Sequence, residues 1–227
     1  MLMNGPQRRL EFLISDPDQN EPHNRKEVMT MSQNIEKEFK NLLNKEEYEA
    51  LLTAFNLEAT EPIKQTNVYF DTPDFKLKGL NSGLRIRMYE DKGEITLKTP
   101  IQENEKLETN DDLTLDEAKT LVEAHLMKAT GNVADKLKGL GIAPGDLVII
   151  GQLSTIRYDF PGDKGTFFLD KSFYQDQMDY ELEFESESLE EGALIFQNFL
   201  KLHGIKVRKA KQKIERMLAY PNSTTHH

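Results

Sequence analysis

Cysteine is absent from the 227 residues. Disulfides and thiolate metal sites are therefore excluded, and the composition fits a reducing compartment, so a cytoplasmic location is expected. Long apolar runs are absent too. No hydrophobic stretch reaches the length needed to cross a bilayer as a helix, and the N-terminus lacks the apolar core of a signal peptide. Positive charge is in deficit: 29 Lys and Arg stand against 39 Asp and Glu, a net charge of −10. That balance argues against nonspecific binding to nucleic acid or an anionic membrane, and neither is expected as a partner. No internal repeat stands out.

What is present is a chain with 37% hydrophobic and 30% charged residues. It can bury a core while keeping a very polar surface, and its length suits one large domain or two small ones. Residues 1–30 are expected to be a disordered extension, because Asp16-Pro17-Asp18-Gln19-Asn20-Glu21-Pro22 has nothing to bury. Met31 is expected to be the natural start. Residues 31–220 are expected to form the domain and 221–227 a tail, with His226 and His227 read as the remnant of a tag.

Within the domain, Ile35-Glu36-Lys37-Glu38-Phe39-Lys40 reads as a strand. Alternate side chains of a strand point to opposite faces, so Glu36, Glu38 and Lys40 share one face and Ile35 and Phe39 mark the other. A helix follows, with Asn44 as N-cap, Glu47 at the capping-box position and Tyr48, Leu51, Leu52 and Phe55 at helical spacing. Strand character resumes over 64–71. Leu84 to Tyr89 alternates, with Arg85 and Arg87 on one face. Asp91-Lys92-Gly93 signals a hairpin, after which Glu94, Thr96 and Lys98 oppose Ile95 and Leu97. Lys106 and Glu108 fall in a possible further strand. Helices are expected over 115–127 and 133–140. Residues 147–160 read as two strands or one long bent one, carrying Arg157, and 166–171 as another, carrying Asp170. Glu181, Glu183 and Glu185 alternate with Tyr180, Leu182 and Phe184. Ser188, with Glu191 at the capping-box position, opens a last clear helix, and a basic run, Lys209 to Arg216, follows it.

The same pattern thus recurs: an apolar face and a charged face, with the charges sorted by strand. An open sheet with a solvated face accommodates this. The alternative is a closed antiparallel barrel with a polar interior and an apolar outside covered by helices, which also removes sheet edges. A tunnel lined by both signs of charge suits one ligand class. Arg and Lys bind phosphate oxygens, while clustered carboxylates bind Mg²⁺ or Mn²⁺, which bridge phosphates.

Glu36-Lys37-Glu38-Phe39-Lys40 matches the E-x-E-x-K signature of the CYTH superfamily, the triphosphate tunnel metalloenzymes, and the chain resembles that family in order over roughly residues 33–218. The matching stretches are Tyr69-Phe70-Asp71-Thr72, Leu84-Arg85-Ile86-Arg87, Thr96-Leu97-Lys98, Arg157, Leu169-Asp170 and Glu181-Leu182-Glu183. It is especially similar to the stand-alone members of low-GC Gram-positive bacteria. The resemblance implies an α+β fold: an eight-stranded antiparallel closed β-barrel with a polar lumen and helices packed outside. It implies metal-dependent hydrolysis of a linear triphosphate (inorganic tripolyphosphate, thiamine triphosphate or a nucleoside triphosphate) with Mg²⁺ or Mn²⁺. A non-catalytic polyphosphate- or nucleotide-binding module is the alternative, and an adenylate cyclase a more distant one, since no adenine pocket is visible.

Carried over by position, Glu36, Glu38, Glu181 and Glu183 would bind or orient metal, with help from Asp170. Lys40, Arg85, Arg87, Lys98 and Arg157 would grip phosphates. Tyr69 is the candidate to pair with Lys40 in activating water, or else a wall aromatic. The C-terminal basic residue of the family is Lys211 or Lys213, the rest of the Lys209–Arg216 run being read as solvated. Glu108 aligns loosely with an acidic position; Glu94 and Glu185 read as wall residues. Lys37 stands where the family more often has an apolar residue. The partner implied is a small-molecule triphosphate or polyphosphate, with the chain itself a monomer or homodimer.

Overall fold

The computed structural model describes residues 33–219; the expectations for the extension at 1–30, for Met31 as start and for the tail at 221–227 lie outside them. Eight antiparallel strands close into a barrel: β1 (Gln33–Leu43), β2 (Ile63–Asp71), β3 (Gly83–Met88), β4 (Lys92–Gln102), β5 (Glu105–Thr114), β6 (Val148–Gly162), β7 (Gly165–Tyr174) and β8 (Gln177–Ser186). Their order around the barrel is β1-β5-β4-β3-β2-β6-β7-β8, with β8 pairing back onto β1. The stretch over 147–160 is one strand, β6, and the pairing of β2 with β6 shifts register at Tyr69/Phe70.

Closure sorts the alternating side chains. Outward residues of β2 to β5, among them Leu84, Ile86, Ile95 and Leu97, are fully buried with Ala118, Val133 and Leu137 of α3 (Leu115–Glu123) and α4 (Asn132–Gly139). Outward Phe39, Phe167, Leu169, Leu182 and Phe184 form a second core with residues of α1 (Lys45–Ala54) and α5 (Leu189–Leu202). Gly192 of α5 lets the helix come close: a Cβ there would stand 2.6 Å from the Phe39 ring. Ile35 is the exception among the outward residues expected under helices. It is 52% exposed.

Local chemistry sets the element ends. Asn44 and Glu47 complete a capping box at α1, and so do Thr114 and Glu117 at α3, a pair the alternating pattern of β5 obscures in the sequence. The helix expected to reach 127 stops at Glu123, where His125 adopts a positive φ of 57°. At α5, Ser188 accepts from the Glu191 amide. Asp71 is buried and accepts from the amides of Thr72, Leu77 and Lys78, which holds the short α2 (Lys76–Gly79) at the end of β2.

One end of the barrel is occupied from within. Helix α6 (Lys213–Ala219) packs Met217 against the inward residues Tyr69, Leu153 and Tyr174. Gly151 makes room for it, since a Cβ there would lie 2.4 Å from the Met217 methyl. Asn41 of β1 secures the segment leading to α6, donating to the Lys206 carbonyl and accepting from the Arg208 amide. No helix among the described residues is long and apolar enough to cross a membrane.

Candidate active site

The lumen holds a cavity of about 420 Å³. Its lining includes Glu36, Glu38 and Lys40 of β1, Tyr69 of β2, Arg85 and Arg87 of β3, Lys98 of β4, Arg157 of β6, Glu183 of β8 and Lys213 of α6. Strand register explains the gathering, because directly paired residues point the same way. Tyr69, Arg85, Thr96 and Asn110 form one inward row across β2, β3, β4 and β5. Arg157, Asp170 and Glu181 form another across β6, β7 and β8.

On the β3–β4–β5 side, Lys98 is shared by Glu36, at 2.6 Å, and Glu108, at 2.7 Å. Arg87 donates to Asn67 at 2.8 Å and to the Tyr89 hydroxyl at 3.2 Å, and sits 3.4 Å from Glu94. Two cations on this side stand apart. The Nε of Arg85 is buried with no hydrogen-bond partner. Lys106 lines the same cavity, but the carboxylates beside it, Glu36 and Glu108, are both engaged by Lys98. Burial and the neighbouring charges of Lys40 and Lys98 push the Lys106 ammonium down to about 8.

On the opposite side Arg157 makes a bidentate pair with Asp170 at 2.7 and 2.6 Å, donates to Glu183 and stacks on Phe168 at 4.5 Å. The Lys213 ammonium stands 2.8 Å from Asp170, 2.7 Å from Glu181 and 2.5 Å from Glu183. Burial opposes ionisation of Asp170 and Glu183, yet Arg157 and Lys213 hold both below the usual carboxylate range. Arg216 pairs with Asp179 and Glu181, each at 2.8 Å.

Between the two sides lie Glu38 and Lys40. Lys40 is 2.9 Å from Glu38 and 3.8 Å from Glu183. Burial, then repulsion from Glu183, raises Glu38 to about 7 in spite of Lys40. Glu38 thus holds its proton more tightly than an ordinary carboxylate, and its anion is disfavoured in this setting.

Residues 34–218 match the CYTH domain family. The chain belongs to the CYTH family. This CYTH domain is 38% identical over 186 residues to the Bacillus subtilis protein "Putative triphosphatase YjbK", covering 82% of this chain and 95% of that one. A Bacillus halodurans crystal structure described as a "putative adenylate cyclase" is 38% identical, with a TM-score of 0.77 over 82% of this chain and 98% of its own. The Hippeastrum protein HpAC1, 22% identical with a TM-score of 0.69 over 85% of this chain and 99% of its own, shares the fold. The closed eight-stranded barrel is the tunnel fold that the CYTH resemblance implies.

The geometry separates the expected site residues. Of Lys211 and Lys213, the second enters the cavity; Lys211 is exposed and outside the lining. Arg216, read from sequence as part of a solvated run, is 8% exposed because Asp179 and Glu181 hold it against the barrel. Tyr69 lines the cavity beside its cross-strand partner Arg85, but no hydrogen bond joins it to Lys40, whose ammonium bonds Glu38 on the far wall. Lys106 was the residue missed. Its alternation with Glu108 and Asn110 in β5 is the signal that places it inward.

Asp170, Glu181 and Glu183 offer oxygens within 4.8 Å of one another, a buried acidic cluster with spacing that could hold a metal ion. Metal dependence is a trait of the CYTH family. The donor set that fits a divalent ion on the cavity side is Glu38 with Glu183 and the adjacent Glu36: all three line open space, and Glu38 is under-neutralised.

Proposed function

We propose that this CYTH domain is a divalent-metal-dependent triphosphatase acting on a linear triphosphate inside the barrel. The single observation that carries the reading is a double imbalance in one cavity. Among the described residues no carboxylate forms an ion pair with Arg85 or Lys106, and the Nε of Arg85 has no hydrogen-bond partner, while burial and Glu183 disfavour the Glu38 anion in spite of Lys40. A bare triphosphate answers only the first and a free metal ion only the second. A metal–triphosphate complex answers both. The relative named "Putative triphosphatase YjbK", 38% identical, supports the same ligand class.

In this reading Arg85, Arg87, Lys98, Lys106 and Arg157 hold the phosphate oxygens, Lys213, whose donors face Asp170, Glu181 and Glu183, adds positive charge at the cavity edge, and Glu36, Glu38 and Glu183 hold Mg²⁺ or Mn²⁺. When bound there, such an ion would supply charge neutralisation at the phosphoryl group and would acidify a water. Protein groups do the positioning, which is most of the work in phosphoryl transfer. Lys40, between Glu38 and Glu183, orients the carboxylates and faces the reacting phosphate. Tyr69 stays a wall residue that backs Arg85.

The test is phosphate release from tripolyphosphate, thiamine triphosphate and ATP with Mg²⁺ or Mn²⁺, with cyclic AMP measured in parallel. Metal-dependent phosphate release without cyclic AMP is the expected result. Tight binding with no product would leave a binding module, and cyclic AMP from ATP would make the domain a cyclase.

A further inference from the structure

The acidic cluster of Asp170, Glu181 and Glu183 already contains a cation, the ammonium of Lys213. An ammonium has three N–H donors, and here each carboxylate stands within hydrogen-bond range of it, at 2.8, 2.7 and 2.5 Å. The remaining oxygens are engaged as well. Both oxygens of Asp170 accept from Arg157, and both of Glu181 accept from Arg216. Each of the three carboxylates faces at least one of Lys213, Arg157 and Arg216, the last of which is shared with Asp179. Asp170 and Glu181 are wholly buried and outside the cavity lining. Mg²⁺ and Mn²⁺ favour octahedral oxygen shells, and Mg²⁺ usually keeps several waters. Glu183 also accepts from Arg157 and Lys213, but it lines the cavity, where an ion could keep its waters, whereas an ion at Asp170 and Glu181 would find paired oxygens and no space for water unless Lys213 left.

We propose that Asp170 and Glu181 are not metal ligands in this chain. They are positioning residues, a carboxylate cage that holds the Lys213 and Arg157 cations at the phosphate side of the cavity and fastens α6 across the end of the barrel. The proposal rests on the phosphate-binding reading above only for what Lys213 and Arg157 are positioned to contact; the exclusion of metal from the cage is independent of it.

The experiment has two readouts that need no turnover. First, Mn²⁺ alone is titrated against wild type, Glu181→Gln and Glu38→Gln, with free Mn²⁺ followed by electron paramagnetic resonance. Glu181→Gln should bind Mn²⁺ within about twofold of wild type while Glu38→Gln binds at least about tenfold more weakly; a loss of fivefold or more in Glu181→Gln overturns the proposal. Second, in case that variant does not fold, amide hydrogen exchange over 213–219 is measured on wild type with and without saturating Mn²⁺. Unchanged protection supports the cage. Faster exchange means the ion has expelled the ammonium, and overturns it. The positioning role is read by a cycle with inorganic tripolyphosphate binding: Glu181→Gln should weaken binding about tenfold in wild type and leave it unchanged in a Lys213→Met background. An equal loss in both backgrounds refutes action through Lys213. Absence of hydrolysis would undo the triphosphatase reading while leaving the Mn²⁺ and exchange results to decide the cage.

Discussion

The two long walls of the barrel carry similar residues and do opposite things with them. On the β6–β7–β8 wall each buried carboxylate of the Asp170–Glu181–Glu183 cluster meets a guanidinium or an ammonium. On the β3–β4–β5 wall, Arg85 and Lys106 face the same cavity without a direct ion pair among the described residues. The difference teaches that counting charges does not locate a binding site. A charge that is already paired and desolvated contributes rigidity, because removing one partner strands the other at a cost of about 3–5 kcal/mol. A charge left unpaired in a cavity is held ready for something from outside.

That contrast can be broken at several points. The largest effect is expected from Glu38→Gln, which keeps shape and removes the under-neutralised carboxylate. kcat for tripolyphosphate should drop by about 100-fold, since a charge-assisted contact is worth roughly 1.5–3 kcal/mol, and should recover in part at higher Mg²⁺ or Mn²⁺. Steady-state rates across a metal titration check this; a wild-type rate would remove Glu38 from the site. Next comes Arg85→Ala. It should raise KM about tenfold, with kcat little changed and no rescue by metal, the pattern of a contact shared by ground and transition states. Arg87→Ala should follow the same pattern.

A smaller effect tests the acidic partner by stability. The folded state holds Glu38 protonated up to about 7, above the ordinary carboxylate value of 4.5. Its acid form therefore favours the fold, and that contribution is complete below about 4.5 and lost as pH rises through about 7. The melting temperature of metal-free wild type should decline by about 3 °C or more relative to Glu38→Gln between pH 5 and pH 8, and Mg²⁺ with tripolyphosphate should restore it by linkage. Parallel melting curves of the two proteins would contradict the shift. The smallest effect belongs to Lys106. Because its ammonium titrates near 8, tripolyphosphate affinity should weaken about threefold as pH rises past that value, a charge-assisted contact being worth at least about 1 kcal/mol. Lys106→Met should flatten that limb in calorimetric titrations.

Much of this arrangement was legible in the chain. The period-two sorting of Glu36, Glu38, Arg85, Arg87, Glu181 and Glu183 is a direct consequence of strand geometry, so the inward face could be read residue by residue. What could not be read was pairing. Glu181 and Glu183 are indistinguishable as sequence, yet one lies sealed behind Lys213 and Arg216 and the other lines the cavity, because α6 covers one end of β8 and leaves the other. Lys211 and Lys213 are also equivalent on paper. The helix start at Lys213 sends one inward and leaves the other in solvent. Lys106 was obscured by the polar surroundings of 101–112, where no apolar alternation marks the strand. Cysteine-free composition and net charge excluded whole classes of protein but had no bearing on any of these choices.

The seating of α6 also governs traffic. With Met217 lodged against Gly151 and Arg216 tied to Asp179 and Glu181, the lumen is a cul-de-sac. A ligand that comes in must back out by the way it came, and if the domain hydrolyses triphosphates as proposed, the products would have to clear that mouth before the next molecule docks. A long polymer could not be reeled through and cut at successive positions; it could offer only a free end.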